Sequence, residues 1–206
     1  YGLFHHVQTP QQFAGIAELI GTSADSLRPL YLGRLRHDYD AGLIDAEEYW
    51  RLIGAGLGIE IDWRVALAAD NDSWEGVHED MVDFARELHA VRVPIALLSN
   101  EPKELTALTR ARREWIALFA PVVFSGEVGL AKPDPAIFRL GVDKLGFPAD
   151  EIVVVGDSYD KDIVPATRIG CQTIWLKSIG WSAYKGNETA DIVLSDFTEI
   201  KQVFAL

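Results

Sequence analysis

Asp157 and Asp162 are the residues of this chain whose type and spacing point most directly to chemistry. They lie in the phrase Gly156-Asp157-Ser158-Tyr159-Asp160-Lys161-Asp162, which follows the apolar run Ile152-Val153-Val154-Val155. A short β-branched run without polar alternation reads as a strand buried on both faces, as in a parallel α/β sheet. Glycine lets the backbone turn at the strand's carboxyl end, and open α/β sheets bind their ligands at that rim. Two hard oxygen ligands there suit Mg2+, which takes one or two carboxylates and keeps room for water and phosphate. The same aspartates could instead cap the helix that follows.

Two further groups stand at the ends of earlier apolar runs. Ser99-Asn100, after Leu97-Leu98, offers a hydroxyl and an amide beside the free N–H groups of an opening helix, which is the makings of an oxyanion or phosphate grip. An ordinary N-cap uses the same residue types. Lys132 lies in Gly129-Leu130-Ala131-Lys132-Pro133-Asp134-Pro135-Ala136-Ile137-Phe138. Pro133 stiffens the exit from the lysine, and Asp134 with Pro135 opens a helix. That loop can hold the ammonium at the rim as a compact charge opposite a phosphate; a solvated surface lysine is the plain alternative.

The elements that must position these groups change character along the chain. From Thr9 to about His89 the apolar spacing is helical, with Phe13, Ile16, Leu19 and Ile20 in one stripe and Leu27, Leu30, Tyr31 and Leu35 in a second. Asp45-Ala46-Glu47-Glu48 starts a third helix carrying Tyr49, Trp50, Leu52 and Ile53. Beyond about residue 93 strands and helices alternate. Strands are expected at 94–98, 122–124, 152–155, 173–176 and 192–194, helices at 102–117, 134–145 and 160–169, and a surface loop at 177–190. This rhythm predicts an α/β fold, a Rossmann-like parallel sheet core (1–8 and 86–206) with a helical cap domain at 9–85. Trp50, Trp63, Trp74, Trp115 and Trp175 fall in patterns expected of packing.

Composition narrows the function classes. With 206 residues and 49% hydrophobic content, a sizeable core is within reach. A net charge of −12 argues against a general nucleic-acid or anionic-membrane binder. An acidic protein can still hold a phosphate ester where a cation and a lysine invert the local field. One cysteine, Cys171, leaves no internal disulfide framework and fits a reducing cytosol. The expectation is a cytoplasmic, untargeted protein, monomer or homodimer, with a small phosphorylated metabolite as its partner.

The serine, lysine and paired aspartates, in that order after successive strands, resemble the second, third and fourth motifs of the haloacid dehalogenase-like (HAD) hydrolase superfamily. The likeness is close over about 90–176, and Gly42-Leu43-Ile44-Asp45-Ala46-Glu47-Glu48-Tyr49-Trp50 is similar to a cap-helix phrase of that group. It implies that Ser99 hydrogen-bonds the transferring phosphoryl group and that Lys132 offsets its charge, both as catalytic residues, with Asn100 beside them in phosphate binding. It implies Asp157 as a direct Mg2+ ligand and Asp162 as a direct or water-mediated one. The implied reaction is phosphate monoester hydrolysis through an aspartyl-phosphate intermediate. Within the superfamily, dehalogenases need no Mg2+ and carry Ser-Asn where this chain has Gly156-Asp157, so the resemblance favours a metal-dependent phosphatase.

The chain departs from the pattern at its first motif, an Asp-x-Asp pair after the first strand. Asp38-Tyr39-Asp40 and Asp70-Asn71-Asp72 have the spacing but sit in helical pattern, and Tyr1–Val7 offers His5 and His6 instead of carboxylates. Three explanations stay open: the pair precedes Tyr1, which is the one expected here; the protein binds phosphorylated ligands or proteins without catalysis; or another segment supplies the central strand. Tyr31, Arg34, Arg36, His37, Tyr49, Trp50, Asn100 and Glu101 are candidate substrate contacts, with packing or solvation as their ordinary alternative.

Overall fold

A computed structural model describes residues 2–5, 8–74, 76–177 and 190–204. The amino-terminal helices are α1 (Pro10–Leu19), α2 (Ala24–Tyr31), α3 (Arg34–Asp40), α4 (Ala46–Leu57) and α5 (Trp63–Asp72). Thr9 starts α1 with a complete capping box to Gln12, and the Asp45 side chain accepts from Glu48 N to start α4. The second expected stripe divides at Leu32-Gly33 into α2 and α3. These helices share a core of Phe13, Ile16, Leu27, Tyr31, Tyr49, Trp50 and Ile53.

The helix α6 (Glu79–Ala90) crosses the boundary expected at residue 85. Its Met81, Phe84 and Leu88 pack with Ile174, Leu176 and Leu194 of the strands rather than with α1–α5. Beyond it run β1 (Leu97–Ser99), α7 (Lys103–Arg112), β2 (Val122–Phe124), α8 (Ser125–Val128) and α9 (Pro135–Leu145). Then come β3 (Val153–Gly156), α10 (Val164–Arg168), β4 (Gln172–Leu176), β5 (Ile192–Leu194) and α11 (Thr198–Val203). All strand pairs are parallel, which gives the α/β class the alternation predicts. They form two sheets, β1–β2 and β3–β4–β5, with β1 and β3 each paired on one side.

Several bounds differ from the sequence expectation. The helix expected at 102–117 ends at Arg112, because Arg113 leaves helical geometry (φ −122°, ψ 87°) and a 3-10 turn carries Glu114–Leu118. That turn brings Trp115 and Phe119 onto Phe4, at centroid distances of 4.9 and 5.4 Å. The helix expected at 160–169 opens as a π-helical turn, Tyr159–Ile163, before α10. Within residues 2–5, His5 makes an isolated antiparallel bridge to Val77; residues 1, 6 and 7 lie outside the described set. The loop expected at 177–190 falls mostly outside it too. No described helix is long and apolar enough to cross a membrane.

Candidate active site

The carboxyl ends of β1 and β3 and the loop before α9 meet at one cavity of about 480 Å³, which Ser99, Lys132, Asp157 and Asp162 all line. Lys132 Nζ lies 2.6 Å from Asp162 Oδ1, and the two side chains are only 14% and 7% exposed. Asp162 is held from its other oxygen as well, since Oδ2 accepts from Ser158 N at 3.0 Å. Gly156 makes this geometry possible: a Cβ there would come within 2.3 Å of Asp162 Cβ. The π-helical turn widens the chain between the two aspartates, a local distortion often found at functional sites.

Asp157 and Asp162 repel each other across a partly dehydrated wall. Burial first, and Asp162 second, push the Asp157 carboxyl above its ordinary range, with Lys132 acting against them. A divalent cation relieves that repulsion, and an all-oxygen donor pair fits Mg2+. No cluster of three or more His, Cys, Asp or Glu side chains forms among the described residues. A cation held by Asp157 and Asp162 would therefore complete its shell with water, backbone or ligand oxygens.

Asn100 has a different place from the one expected. Its Nδ2 donates to Lys132 O at 2.9 Å and its Oδ1 accepts from Lys132 N at 2.8 Å, so the amide clamps the lysine's backbone. Nor do Ser99 and Asn100 cap α7, whose N-cap is Pro102. Asp134 does cap α9 as expected, accepting from Ala136 N at 2.8 Å.

The other candidate contacts divide into packing and solvent. Tyr31, Tyr49 and Trp50 are fully buried in the helical core, and Arg36 is 9% exposed there. Arg34 and His37 are exposed, Arg34 pairing with Asp38. None of the six lines the cavity. The two Asp-x-Asp spacings lie in α3 and α5 and also stay away from it. Asp40 and Asp70 are nevertheless buried, at 8% and 2%. Both carboxylates face inward because the Arg36 guanidinium sits between them.

Glu101 and Ser125 form the link that sequence reasoning missed in part. Ser125 Oγ accepts from Glu101 N at 2.8 Å and donates to Asp40 O, tying α3 to the end of β1. Glu104 adds a second tie by accepting from Ala46 N at 3.1 Å, at the start of α4. Glu101 is 1% exposed, lines the cavity, and has a buried Oε1 without a hydrogen-bond partner. Burial chiefly raises its carboxyl to about 7, against a lowering contribution from Thr109. A raised folded-state pKa stabilises fully below the unfolded value near 4.5, and that stability is lost as pH rises through about 7. Glu101→Gln cannot ionise. Urea unfolding should find it roughly 2 kcal/mol more stable than the parent at pH 8 and near parity at pH 5.

The sequence profile of the haloacid dehalogenase-like hydrolases matches residues 9–170. Phosphoserine phosphatase of Thermus thermophilus is 29% identical over 117 residues, 57% of this chain and 47% of that protein. Glyceraldehyde 3-phosphate phosphatase of Methanocaldococcus jannaschii is 33% identical over 85 residues, 41% of this chain and 37% of that protein. The chain thus spans about half or less of these relatives' length. Among solved structures, a HAD family enzyme of Bacteroides thetaiotaomicron, in complex with magnesium and inorganic phosphate, superposes with a TM-score of 0.72 at 19% identity. That superposition covers 89% of this chain and 93% of that one. A dehalogenase superposes with a TM-score of 0.73 at 18% identity, over 100% and 94% of the two chains, so the likeness is one of fold. Because the profile match takes in Ser99, Lys132, Asp157 and Asp162 together with the helices ahead of them, the chain belongs to the haloacid dehalogenase-like hydrolases.

Proposed function

We propose that this protein is a Mg2+-dependent phosphatase that hydrolyses a small phosphorylated metabolite. The observation that carries the reading is the meeting of Ser99, Lys132, Asp157 and Asp162 on one cavity at the carboxyl ends of parallel strands. The phosphatases among its relatives support the substrate class. In this reading Ser99 donates a hydrogen bond to a phosphoryl oxygen and Lys132 balances the charge that gathers on the transferring group. Asn100 fixes the lysine's backbone so that the ammonium keeps its place. Asp157 and Asp162 hold Mg2+, which when bound offsets phosphate charge. The nucleophile of this reading is a first-motif aspartate, which neither Asp-x-Asp spacing of the described residues supplies. Its carboxylate would attack phosphorus as the ester alcohol departs, and water would then hydrolyse the acyl phosphate to inorganic phosphate and the free carboxylate.

The proposal extends to α1–α5 as a cap over the rim. Their separate core, together with the ties from Asp40 to Ser125 and from Ala46 to Glu104, supports a unit that closes beside Glu101. Such closure would exclude water from phosphoryl transfer.

Turnover of para-nitrophenyl phosphate with and without Mg2+, by a parent protein that carries the first-motif aspartate, tests the reading. Asp157→Asn should lower Mg2+-dependent turnover by about 100-fold or more. Its unfolding midpoint should hold or rise, because the substitution removes the repulsion that raises the Asp157 pKa. Full activity in the variant would remove Asp157 from the metal site. Absent turnover in the parent, with retained binding of inorganic phosphate, would favour the non-catalytic module. Chloride release from a 2-haloacid without Mg2+ would favour a dehalogenase.

A further inference from the structure

Asp40, the last residue of α3, ends the helix with a carbonyl that no later turn of it can satisfy. Ser125, fully buried at the start of α8, donates its hydroxyl proton to that carbonyl. A hydroxyl has one proton to give. The other acceptor in reach, Glu101 O, is farther off at 3.4 Å and already takes the Gly126 N–H at 3.1 Å. With its proton committed to α3, the Ser125 oxygen turns a lone pair to Glu101 N, 2.8 Å away. The contact is seated backbone on backbone. A Cβ at Gly42 would fall 2.7 Å from Gly126 O, and one at Gly126 would fall 2.8 Å from Glu101 O. So close a fit lets the end of α3 shift only by disturbing Ser125 and its partners.

Glu101 is joined directly to Asn100, whose amide holds the Lys132 backbone on both sides, at 2.8 and 2.9 Å. Lys132 in turn holds Asp162 through Nζ, and Asp162 accepts from Ser158 N. A continuous line of hydrogen bonds thus runs from the end of α3, through the loop of Ser99 and Asn100, to the lysine and the aspartate loop after β3. Each link is at least partly buried, where hydrogen bonds strengthen and polarise one another. We propose that Ser125 is a positioning residue of this rim: by binding the end of α3 it sets the register of the 99–101 loop and, through Asn100, the placement of Lys132. Ser125 does not line the cavity and acts only through these partners. The lysine is therefore in place only while α3 is docked, which ties assembly of the rim to the seating of the helical part. The consequence for phosphate rests on the phosphatase reading; the coupling of α3 to Lys132 does not.

Amide hydrogen exchange of the 206-residue chain, without phosphate or metal, tests the coupling. Exchange at Lys132 is compared with exchange at Ile174, in the other sheet, so that a change in global stability is divided out. Ser125→Ala should speed Lys132 at least about 10-fold relative to Ile174. Gly42→Ala should do the same from the other side, by pushing the end of α3 off Gly126, and serves if Ser125→Ala does not fold. Glu104→Ala cuts the separate bond to Ala46 N and leaves Ser125 alone. It should speed Ala46 but change Lys132 by less than about twofold. Added to Asn100→Ala, Ser125→Ala should quicken Lys132 by less than about twofold further, because it acts through Asn100. Inorganic phosphate, titrated with Mg2+ present, should bind Ser125→Ala at least about 10-fold more weakly than the parent. An unmoved Lys132 amide, an equal effect from Glu104→Ala, full additivity with Asn100→Ala, or unaltered phosphate affinity in a parent that binds it would each overturn the proposal. A parent that binds no phosphate, with the Lys132 coupling present, would uphold the role of Ser125 and overturn the phosphatase reading alone.

Discussion

Replacing Lys132 with methionine is expected to destabilise the metal-free protein by about 3 kcal/mol and to lower phosphate affinity by about 100-fold. The ammonium is 2.6 Å from Asp162 and nearly buried with it, so deletion leaves a buried carboxylate with no opposing charge and only the Ser158 N–H to bind it. Asp157 faces the same cavity and already feels Asp162, which makes the uncompensated charge worse. In the proposed site, Mg2+ would supply the missing positive charge at the two aspartates. The midpoint gain on adding Mg2+ should therefore be larger in the variant than in the parent, which urea unfolding with and without the metal reads directly. Phosphate affinity should remain low even with Mg2+, since the metal replaces the charge at the aspartates and not the donor beside the phosphoryl oxygens. Calorimetric titration with inorganic phosphate separates the two effects. A variant as stable as the parent would show that the Lys132–Asp162 pair adds nothing, and unchanged phosphate affinity would remove the lysine from the proposed site.

What the sequence disclosed about this rim, and what it hid, follows from the range of the interactions involved. The β-branched run ahead of Gly156 announces its strand because β-branched side chains favour extended backbone. Burial on both faces, the other expectation, is not what β3 shows, with Val153 38% exposed and Val154 and Val155 half-buried. Asp134-Pro135 likewise announces the start of α9, because capping is decided within four residues. The parallel α/β class and the order of Ser99, Lys132 and Asp157 were therefore readable. Asn100 was misplaced because its two partners are 32 residues away, on the backbone of Lys132, and nothing in Ser-Asn distinguishes a long-range clamp from a cap. α6 reads as one more amphipathic helix after five others, and only its contacts with Ile174 and Leu176 show which core it serves. The Ser125 link is of the same kind: a serine beside a glycine has no local mark of holding Glu101 N and Asp40 O together. Local patterns set elements and their ends, while the pairing of distant polar groups emerges only once those elements pack.

Arg36→Met should cost about 3–5 kcal/mol, the largest stability loss expected in the helical part of the chain. Arg36 Nε donates to Asp40 Oδ1 at 2.8 Å, and Nη1 reaches Asp70 Oδ2 at 3.4 Å and the Tyr31 hydroxyl at 3.3 Å. Burial alone would lower the guanidinium's pKa, yet Asp40, Tyr31 and Asp70 around it hold it above the ordinary arginine value. Asp70 also accepts from the Tyr31 hydroxyl and from Trp74 Nε1, while Gln8 binds Ser73 Oγ at 2.7 Å. The network thus fastens α2, α3 and α5 to Gln8, ahead of α1, and to Ser73 and Trp74, just after α5. Methionine preserves much of the apolar stem but abandons two buried carboxylates. The loss should therefore come from charge and not from volume. Arg36→Met combined with Asp40→Asn and Asp70→Asn discriminates these causes, because it removes the orphaned charges while leaving the cavity as it is in the single variant. Urea unfolding should show the triple variant recovering at least half of the single variant's loss. If the triple variant is instead less stable than Arg36→Met alone, the aspartates stabilise through Tyr31, Trp74 and the backbone, and the arginine is held by its packing over the Tyr31 and Trp74 rings.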